Sequence, residues 1–266
     1  MLELNKIYNI DCLVGMRDIP QNSIDCVICD LPFGTTSCKW DAVIPFDELW
    51  AQYKRIVKPN GAIVLFGSQP FTTSLIASNM GDFRESLVWL KNKSPSGLQS
   101  GKRHQKLHED IIVFSKSGSY TFNPQKWVVT DKQFLTQRKT YEILEEENNI
   151  IGAKVKGRMR HKDDGMRDPI SVMAYKVPYT PKKESRVKNG DYRMHPTQKP
   201  LELIRYLVRT YSNEGETVLD NCMGSGTTAI ACMAEKRNFL GFELDSKYFD
   251  IASRRIADYK RQPTLF

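Results

Sequence analysis

No run of this 266-residue chain is apolar for long enough to cross a bilayer, and Met1 to Asp11 lacks the basic segment followed by a long apolar one that marks a secretory leader. A membrane protein is therefore not expected, and a soluble, cytoplasmic one is. Cysteine is scarce and poorly placed for cross-linking. Of Cys12, Cys26, Cys29, Cys38, Cys222 and Cys232, most sit inside apolar runs, as free thiols of a reducing compartment do. Cys26 and Cys29 form a C-x-x-C, but strand residues alternate between faces, so this spacing makes a poor chelate and no metal is expected. Internal repeats and low-complexity tracts are also missing. At this length the chain can bury an ordinary core, as one large α/β domain or as a core domain carrying a sizeable insertion.

What is present is unevenly spread. The net charge is +8, yet residues 91–194 hold 22 lysines and arginines against 12 acids, leaving 17 against 19 elsewhere. Basic character is thus confined to the middle, where it would attract phosphate by counterion release. A solvated insert is the plainer account of the same charges.

Up to about residue 115, apolar runs alternate with amphipathic stretches as βαβ units do. Strands are predicted at Lys6 to Asn9, running out at Asp11, and at Ile24 to Cys29, Ala62 to Phe66, Ser86 to Leu90 and Asp110 to Phe114, with helices at Phe46 to Val57 and Thr72 to Asn79. The last two strands have no helix between them, so they are antiparallel or joined by an irregular loop. Residues 116–194 lose the rhythm. There Trp127, Phe134, Tyr141, Tyr175, Tyr179 and Tyr192 stand among basic residues, with one helix predicted at Lys139 to Asn148. After Pro196 the rhythm returns: helix Leu201 to Tyr211, strand Thr217 to Asp220, helix Thr227 to Lys236, strand Asn238 to Leu244 and helix Lys247 to Lys260.

Two short motifs carry the chemistry. Asp30-Leu31-Pro32-Phe33-Gly34 follows the apolar strand ending at Cys29, and Asp220-Asn221-Cys222-Met223-Gly224-Ser225-Gly226-Thr227-Thr228 follows Thr217 to Leu219. Each places an acid at the C-terminal end of a strand, where open α/β sheets bind ligands. The glycines of the second let backbone approach a ligand, and Glu243, 19 residues beyond Gly224 at the end of the next strand, has the spacing of a ribose-binding carboxylate. A nucleoside ligand follows. The string Gly224 to Ala229 also fits the dinucleotide pattern G-x-G-x-x-A, but only 40 residues follow Gly226, enough for one more strand and helix, whereas a dinucleotide fold opens with this loop. In the first motif a carboxylate, a backbone carbonyl at residue 31 held by Pro32, and the flat face of Phe33 together suit an exocyclic amine on a planar base. Such an amine lies within reach only when its base is flipped from the duplex.

The two motifs resemble those of the amino-methyltransferases that modify DNA with S-adenosylmethionine, whose target loop reads D-P-P-Y and whose cofactor loop reads D-P-F-x-G-S-G-T-T. Their order, target loop first, recognition region in the middle and cofactor loop last, is similar to the β class of that family. Leu31 stands for the first proline, Phe33 for the tyrosine and Asn221 for the proline of the cofactor loop. Asn9-Ile10-Asp11-Cys12-Leu13 is similar to the segment facing the cofactor's adenine, and His195-Pro196-Thr197-Gln198-Lys199-Pro200 to the stretch gripping its methionine end. Thr197 and Pro200 are equally a helix cap and a first-turn proline.

The resemblance implies a Rossmann-like methyltransferase sheet, circularly permuted, with an inserted target-recognition region. Its catalytic half would be 1–115, the recognition region 116–194 and the cofactor half 195–266. Asp30, Leu31, Pro32 and Phe33 would hold the target. Asp11, Cys12, Asp30, His195, Thr197, Gln198, Lys199, Asp220, Cys222, Gly224, Ser225, Gly226, Thr227, Thr228, Glu243 and Leu244 would hold S-adenosylmethionine, without a metal. In the family an Asp at this loop goes with adenine N6 and a Ser with cytosine N4, so adenine is expected. Lys102, Arg103, Arg158, Arg160, Lys162 and Arg167, with His161, would contact double-stranded DNA. A homodimer and a cognate restriction endonuclease are the further expected partners, in a bacterial or phage-infected cell. The alternatives are N4 methylation of cytosine, a nucleotide-dependent oxidoreductase, and a nucleic-acid-binding protein without catalysis.

Overall fold

The computed structural model describes residues 2–35, 41–93, 101–102, 104–128, 166–178 and 198–261. Along the chain these form β1 (Lys6–Tyr8), α1 (Cys12–Met16), β2 (Ile24–Cys29), α2 (Phe46–Ile56), β3 (Val57–Gly67), α3 (Phe71–Ser78), β4 (Phe83–Leu90), β5 (His108–Phe114), β6 (Trp127–Val128), β7 (Met166–Arg167), β8 (Val172–Ala174), α4 (Leu201–Tyr211), β9 (Thr217–Asp220), α5 (Thr227–Ala234), β10 (Asn238–Phe242) and α6 (Ser246–Arg261). Chain contacts divide it into two units, Met1–Asn123 with Ile170–Phe266, and Pro124–Pro169. The smaller unit contains the antiparallel pair β6–β7 and an ion pair of 3.6 Å between Lys126 and Asp168.

The larger unit is built on an eight-stranded sheet in the order β1-β10-β9-β2-β3-β5-β4-β8. β1, β10, β9, β2 and β3 run parallel, while β5 is antiparallel to both β3 and β4. Every residue of β2 is buried, as befits a central parallel strand covered on both faces. Its side chains alternate: Cys26 and Ile28 join α4 and α5 in one core, and Val27 and Cys29 join α1, α2 and α3 in the other. The two sulfurs of the C-x-x-C therefore belong to opposite faces of the sheet. Helix α4 seats the stripe Leu203, Ile204, Leu207, Val208 and Tyr211 on the first core, the spacing of an amphipathic helix. No described helix is long and apolar enough to cross a membrane.

The order of strands is what places the site. β9, late in the chain, pairs with β2, early in it, with Cys26 opposite Val218 and Val27 opposite Leu219. From this central pair the chain winds outward in opposite directions, through β3 on one side and β10 on the other, which opens a crevice at the C-terminal strand ends. Because β5 runs the other way, its first residues arrive at that same edge.

Several expected elements have different limits. β1 ends at Tyr8, and Asp11 caps α1 instead, its Oδ1 accepting from the N–H groups of Leu13 (2.9 Å) and Val14 (3.2 Å). β3 begins at Val57, where α2 was expected to end; Val57 is buried, but Lys58, Pro59 and Asn60 after it carry no apolar signal that would extend the strand back from Ala62. α5 stops at Ala234, and Lys236 takes a left-handed φ of 57°. β4 and β5 are antiparallel, one of the two arrangements left open. Val172–Ala174, inside the stretch read as having no rhythm, extends the main sheet by pairing with β4. The helix expected at Lys139 to Asn148 lies outside the described residues.

Candidate active site

Asp30 leaves the sheet directly after β2, and its carboxylate is divided between two surroundings. Oδ2 is paired with the Nζ of Lys199, just ahead of α4. Oδ1 is buried and has no hydrogen-bond partner among the described residues. Lys199 is itself buried and stands 3.3 Å from Oε2 of Glu109, which the antiparallel course of β5 delivers to this edge. Glu109 in turn pairs with Lys91, which follows β4. Lys199 and Lys91 also lie over aromatic faces, 4.9 Å from the ring centre of Phe66 and 4.8 Å from that of Trp89.

Burial raises the pKa of Asp30, and Lys199 offsets only part of that rise. Burial also works against a charged Lys199, but the two carboxylates beside it hold its pKa above the ordinary value. For Glu109 burial is outweighed by Lys199 and Lys91, and its pKa is lowered. Glu109 is therefore the firmly ionised carboxylate, and Asp30 the one whose charge depends on its neighbour.

The rest of the target loop is braced. Leu31 is buried, Phe33 lies 5.0 Å from the ring of Phe71, and the N–H groups of Gly34 and Thr35 each donate to the Asp41 carboxylate at 2.9 Å. Trp40 and Cys38 lie outside the described residues.

The second loop is held by the acids that mark it in the sequence. Asp220 is fully engaged: Oδ1 accepts from the Cys222 N–H at 3.0 Å and Oδ2 from the Thr228 hydroxyl at 2.6 Å. Its burial pushes the pKa up to about 6. Glu243 accepts from the N–H groups of Gly224 (2.7 Å) and Asp245 (2.8 Å), and burial raises its pKa too. Gly224 and Gly226 have φ of +56° and +81°, a region that side chains with a Cβ avoid. A Cβ at Gly224 would meet nothing nearer than 4.0 Å, whereas at Gly226 it would sit 3.1 Å from the Cβ of Ala252 on α6. One glycine thus faces open space and the other a packed helix. Asn221, at the proline position of the resembled loop, accepts from the hydroxyl of the buried Tyr53 on α2 at 2.5 Å.

Both loops open onto one cavity of about 390 Å³. Of the expected residues, Asp11, Cys12, Asp30, Leu31, Pro32, Phe33, Gln198, Lys199, Asp220, Cys222, Gly224, Ser225, Thr227, Thr228, Glu243 and Leu244 line it. Gly226 caps α5 instead of facing the cavity. His195 and Thr197 lie outside the described residues, as do Arg103, Arg158, Arg160 and Lys162. Lys102 is exposed, and Arg167 sits on β7 in the smaller unit, its Nη1 donating to the Met166 carbonyl at 2.9 Å. The sequence reading did not single out Glu109, Phe66, Asp41 or Tyr248, which also line the cavity. Glu109 left one signal, the first of two acids at the mouth of a strand that is apolar from Ile111 to Phe114.

The cavity fits a nucleoside-sized ligand in volume. It is lined by Gly224, by the carboxylate of Glu243, and by that of Asp30, whose Oδ1 has no donor among the described residues. A family model described as DNA methylase matches residues 24–254. Similar proteins include the type II methyltransferase M1.MboII of Moraxella bovis, 28% identical over 95% of this chain and 96% of that one. Another is the DNA adenine methyltransferase YhdJ of Escherichia coli K12, 27% identical over 96% and 83%. Among solved structures, the M1.HpyAVI–SAM complex superposes with a TM-score of 0.58 at 23% identity, covering 94% of this chain and 98% of that one. The cytosine-N4-specific PvuII DNA methyltransferase gives 0.62 at 17%, covering 96% and 91%.

Proposed function

Because the chain belongs to the N6/N4 DNA methylase family, we propose that it methylates the N6 amine of an adenine flipped out of double-stranded DNA. That it is a DNA methyltransferase follows from the family, and S-adenosylmethionine is its cofactor. When bound, the cofactor supplies a sulfonium methyl group. The observation that carries the reading is the carboxylate of Asp30, which lines the same cavity as the glycine loop and whose Oδ1 has no hydrogen-bond partner among the described residues.

A purine amine is a poor nucleophile because its lone pair is drawn into the ring. Asp30 Oδ1 would accept one N–H and the Leu31 carbonyl the other, leaving the lone pair pointed at the methyl. Phe33 would hold the ring flat, itself braced by Phe71. Positioning and fixed charge then supply most of the rate, and the amine's surplus proton would pass by way of the Asp30 carboxylate to solvent. Glu243 would hold the ribose hydroxyls, Asp11, Cys12 and Leu244 the adenine end, and Gln198 with Ser225 the methionine end, along with His195 and Thr197. The Ser225 hydroxyl lies 3.3 Å from Gln198 Oε1. Thr227 and Thr228 start α5 beneath the loop.

Asp at the target loop favours adenine, and YhdJ carries that base in its name. Cytosine N4 is the second reading, since the PvuII enzyme has the same fold. We further propose that Arg158, Arg160, Lys162 and Arg167 contact DNA from a recognition region that lies between the two catalytic halves in sequence, and Lys102 and Arg103 from the first half. A homodimer, and a restriction endonuclease of the same specificity, fit an enzyme with type II relatives and a place inside a bacterial or phage-infected cell.

Methyl-labelled S-adenosylmethionine and unmethylated DNA, followed by mass spectrometry of the nucleosides, test the reading. N6-methyladenine is expected. N4-methylcytosine would retain the mechanism and change the base, and cofactor binding with no methylated DNA would leave a binding protein. Replacing Asp30 with Ala should abolish transfer, and should leave cofactor binding measurable by calorimetry.

A further inference from the structure

We propose that Lys199 is a positioning residue for methyl transfer: by holding Oδ2 of Asp30 it keeps that carboxylate turned so that Oδ1 alone meets the amine, and keeps it an acceptor. The inference rests on the proposed methyl transfer, and it departs from the resemblance, which puts this lysine at the methionine end of the cofactor. The geometry is that of a largely buried chain of alternating charge, its side chains 7% to 23% exposed. Asp30, Lys199, Glu109 and Lys91 follow one another from the end of β2, the entry to α4, the start of β5 and the end of β4. Lys199 touches both carboxylates from a side chain 7% exposed.

Burying four charges is costly, and a sheet edge could be filled by apolar residues at less cost. What the arrangement supplies is control of one oxygen. An ionised Asp30 only accepts, whereas a protonated one adds an O–H donor and becomes a weaker acceptor for the amine's N–H. Among the described residues, the charged and titratable groups that act on Asp30 are Lys199 before α4, Glu109 on β5, Lys91 after β4, Asp220 at the end of β9 and Cys29 on β2. Of these, only Lys199 touches the carboxylate with opposite charge, and Glu109 opposes it with like charge. Burial and Glu109 push Asp30 toward the neutral acid, and Lys199 pulls it back.

Opposite shifts are therefore expected from two substitutions. Single-turnover methyl transfer would be followed against pH in the full chain, with S-adenosylmethionine affinity measured separately by calorimetry. In K199M the acid limb should move up by about 1–3 pH units, the effect of removing a close opposite charge. Much of the lost rate should return at alkaline pH, with cofactor affinity unchanged. K199R should bring the limb back toward the wild type. E109Q should move it down, because a like charge beside Asp30 has gone. Loss of cofactor affinity in K199M with an unmoved limb in E109Q would place Lys199 on the cofactor and overturn the proposal, while methylation of DNA by the wild type would still stand. A rate lowered equally at every pH, in both K199R and E109Q, would also overturn it. A wild-type enzyme that methylates no DNA amine would overturn both readings.

Discussion

Asp220 shows how one residue can mark a site in the sequence without being free to act in it. Both its oxygens are consumed inside the loop, by Cys222 and Thr228, and it works by shaping backbone. Its folded pKa, about 6, lies above that of an exposed Asp, so the folded protein holds the proton more tightly than the unfolded chain does. The stability this lends is complete below the unfolded value and disappears as pH rises through 6. Relative to an Asp220→Asn variant, the wild type should therefore lose about 2 kcal/mol of stability between roughly pH 4.5 and 7.5, measured by urea unfolding at each pH. Asn221 beside it carried no readable consequence in the sequence. Its partner Tyr53 lies on α2, 168 residues away, and no local pattern encodes that contact. Glu109 was missed for the same reason, since its value depends on β5 running antiparallel.

Among the elements, legibility followed burial. β2, α4 and β9 were read with their observed limits because each is a run or stripe of apolar residues fixed by one core or by both. The start of β3, with Lys58, Pro59 and Asn60 turned to solvent, was lost, as was α1, too short to show a period. β8 is three residues long with only its middle one buried, so its pairing is set by β4 and not by its own composition. The junction of the cofactor loop with α5 was legible from glycine alone, and it is also where the loop is least forgiving. Gly226→Ala must adopt a left-handed φ while pressing its Cβ on α6 at Ala252, so about 1–3 kcal/mol of stability should be lost. Cofactor affinity should fall with it as the loop moves, which thermal melts with and without S-adenosylmethionine would read.

At the scale of the molecule, the target loop and the cofactor loop meet because the last strands of the chain are inserted beside the first. The basic middle stands between the two halves in sequence, and DNA binding should carry its mark. Affinity for duplex DNA should fall steeply with salt, and Arg167→Ala, if it removes one phosphate contact, should reduce the log–log slope by about 1 in fluorescence anisotropy titrations. The two ends of the fold are neighbours, with Lys260 Nζ 3.5 Å from the carbonyl oxygen of Asn5. A permutant with new ends between β8 and α4, and a short Gly/Ser linker joining α6 to β1, should keep the same sheet. It would shorten the separation of the β2–β9 pair from 192 residues to less than half, and should refold faster in stopped-flow measurements. The natural order has a cost during synthesis. From the moment β2 leaves the ribosome until β9 follows, roughly 10–40 s at about 5–20 residues per second, the central strand of the sheet has one edge open to any other nascent chain, and the protein's yield in the cell should depend on what shields that edge meanwhile.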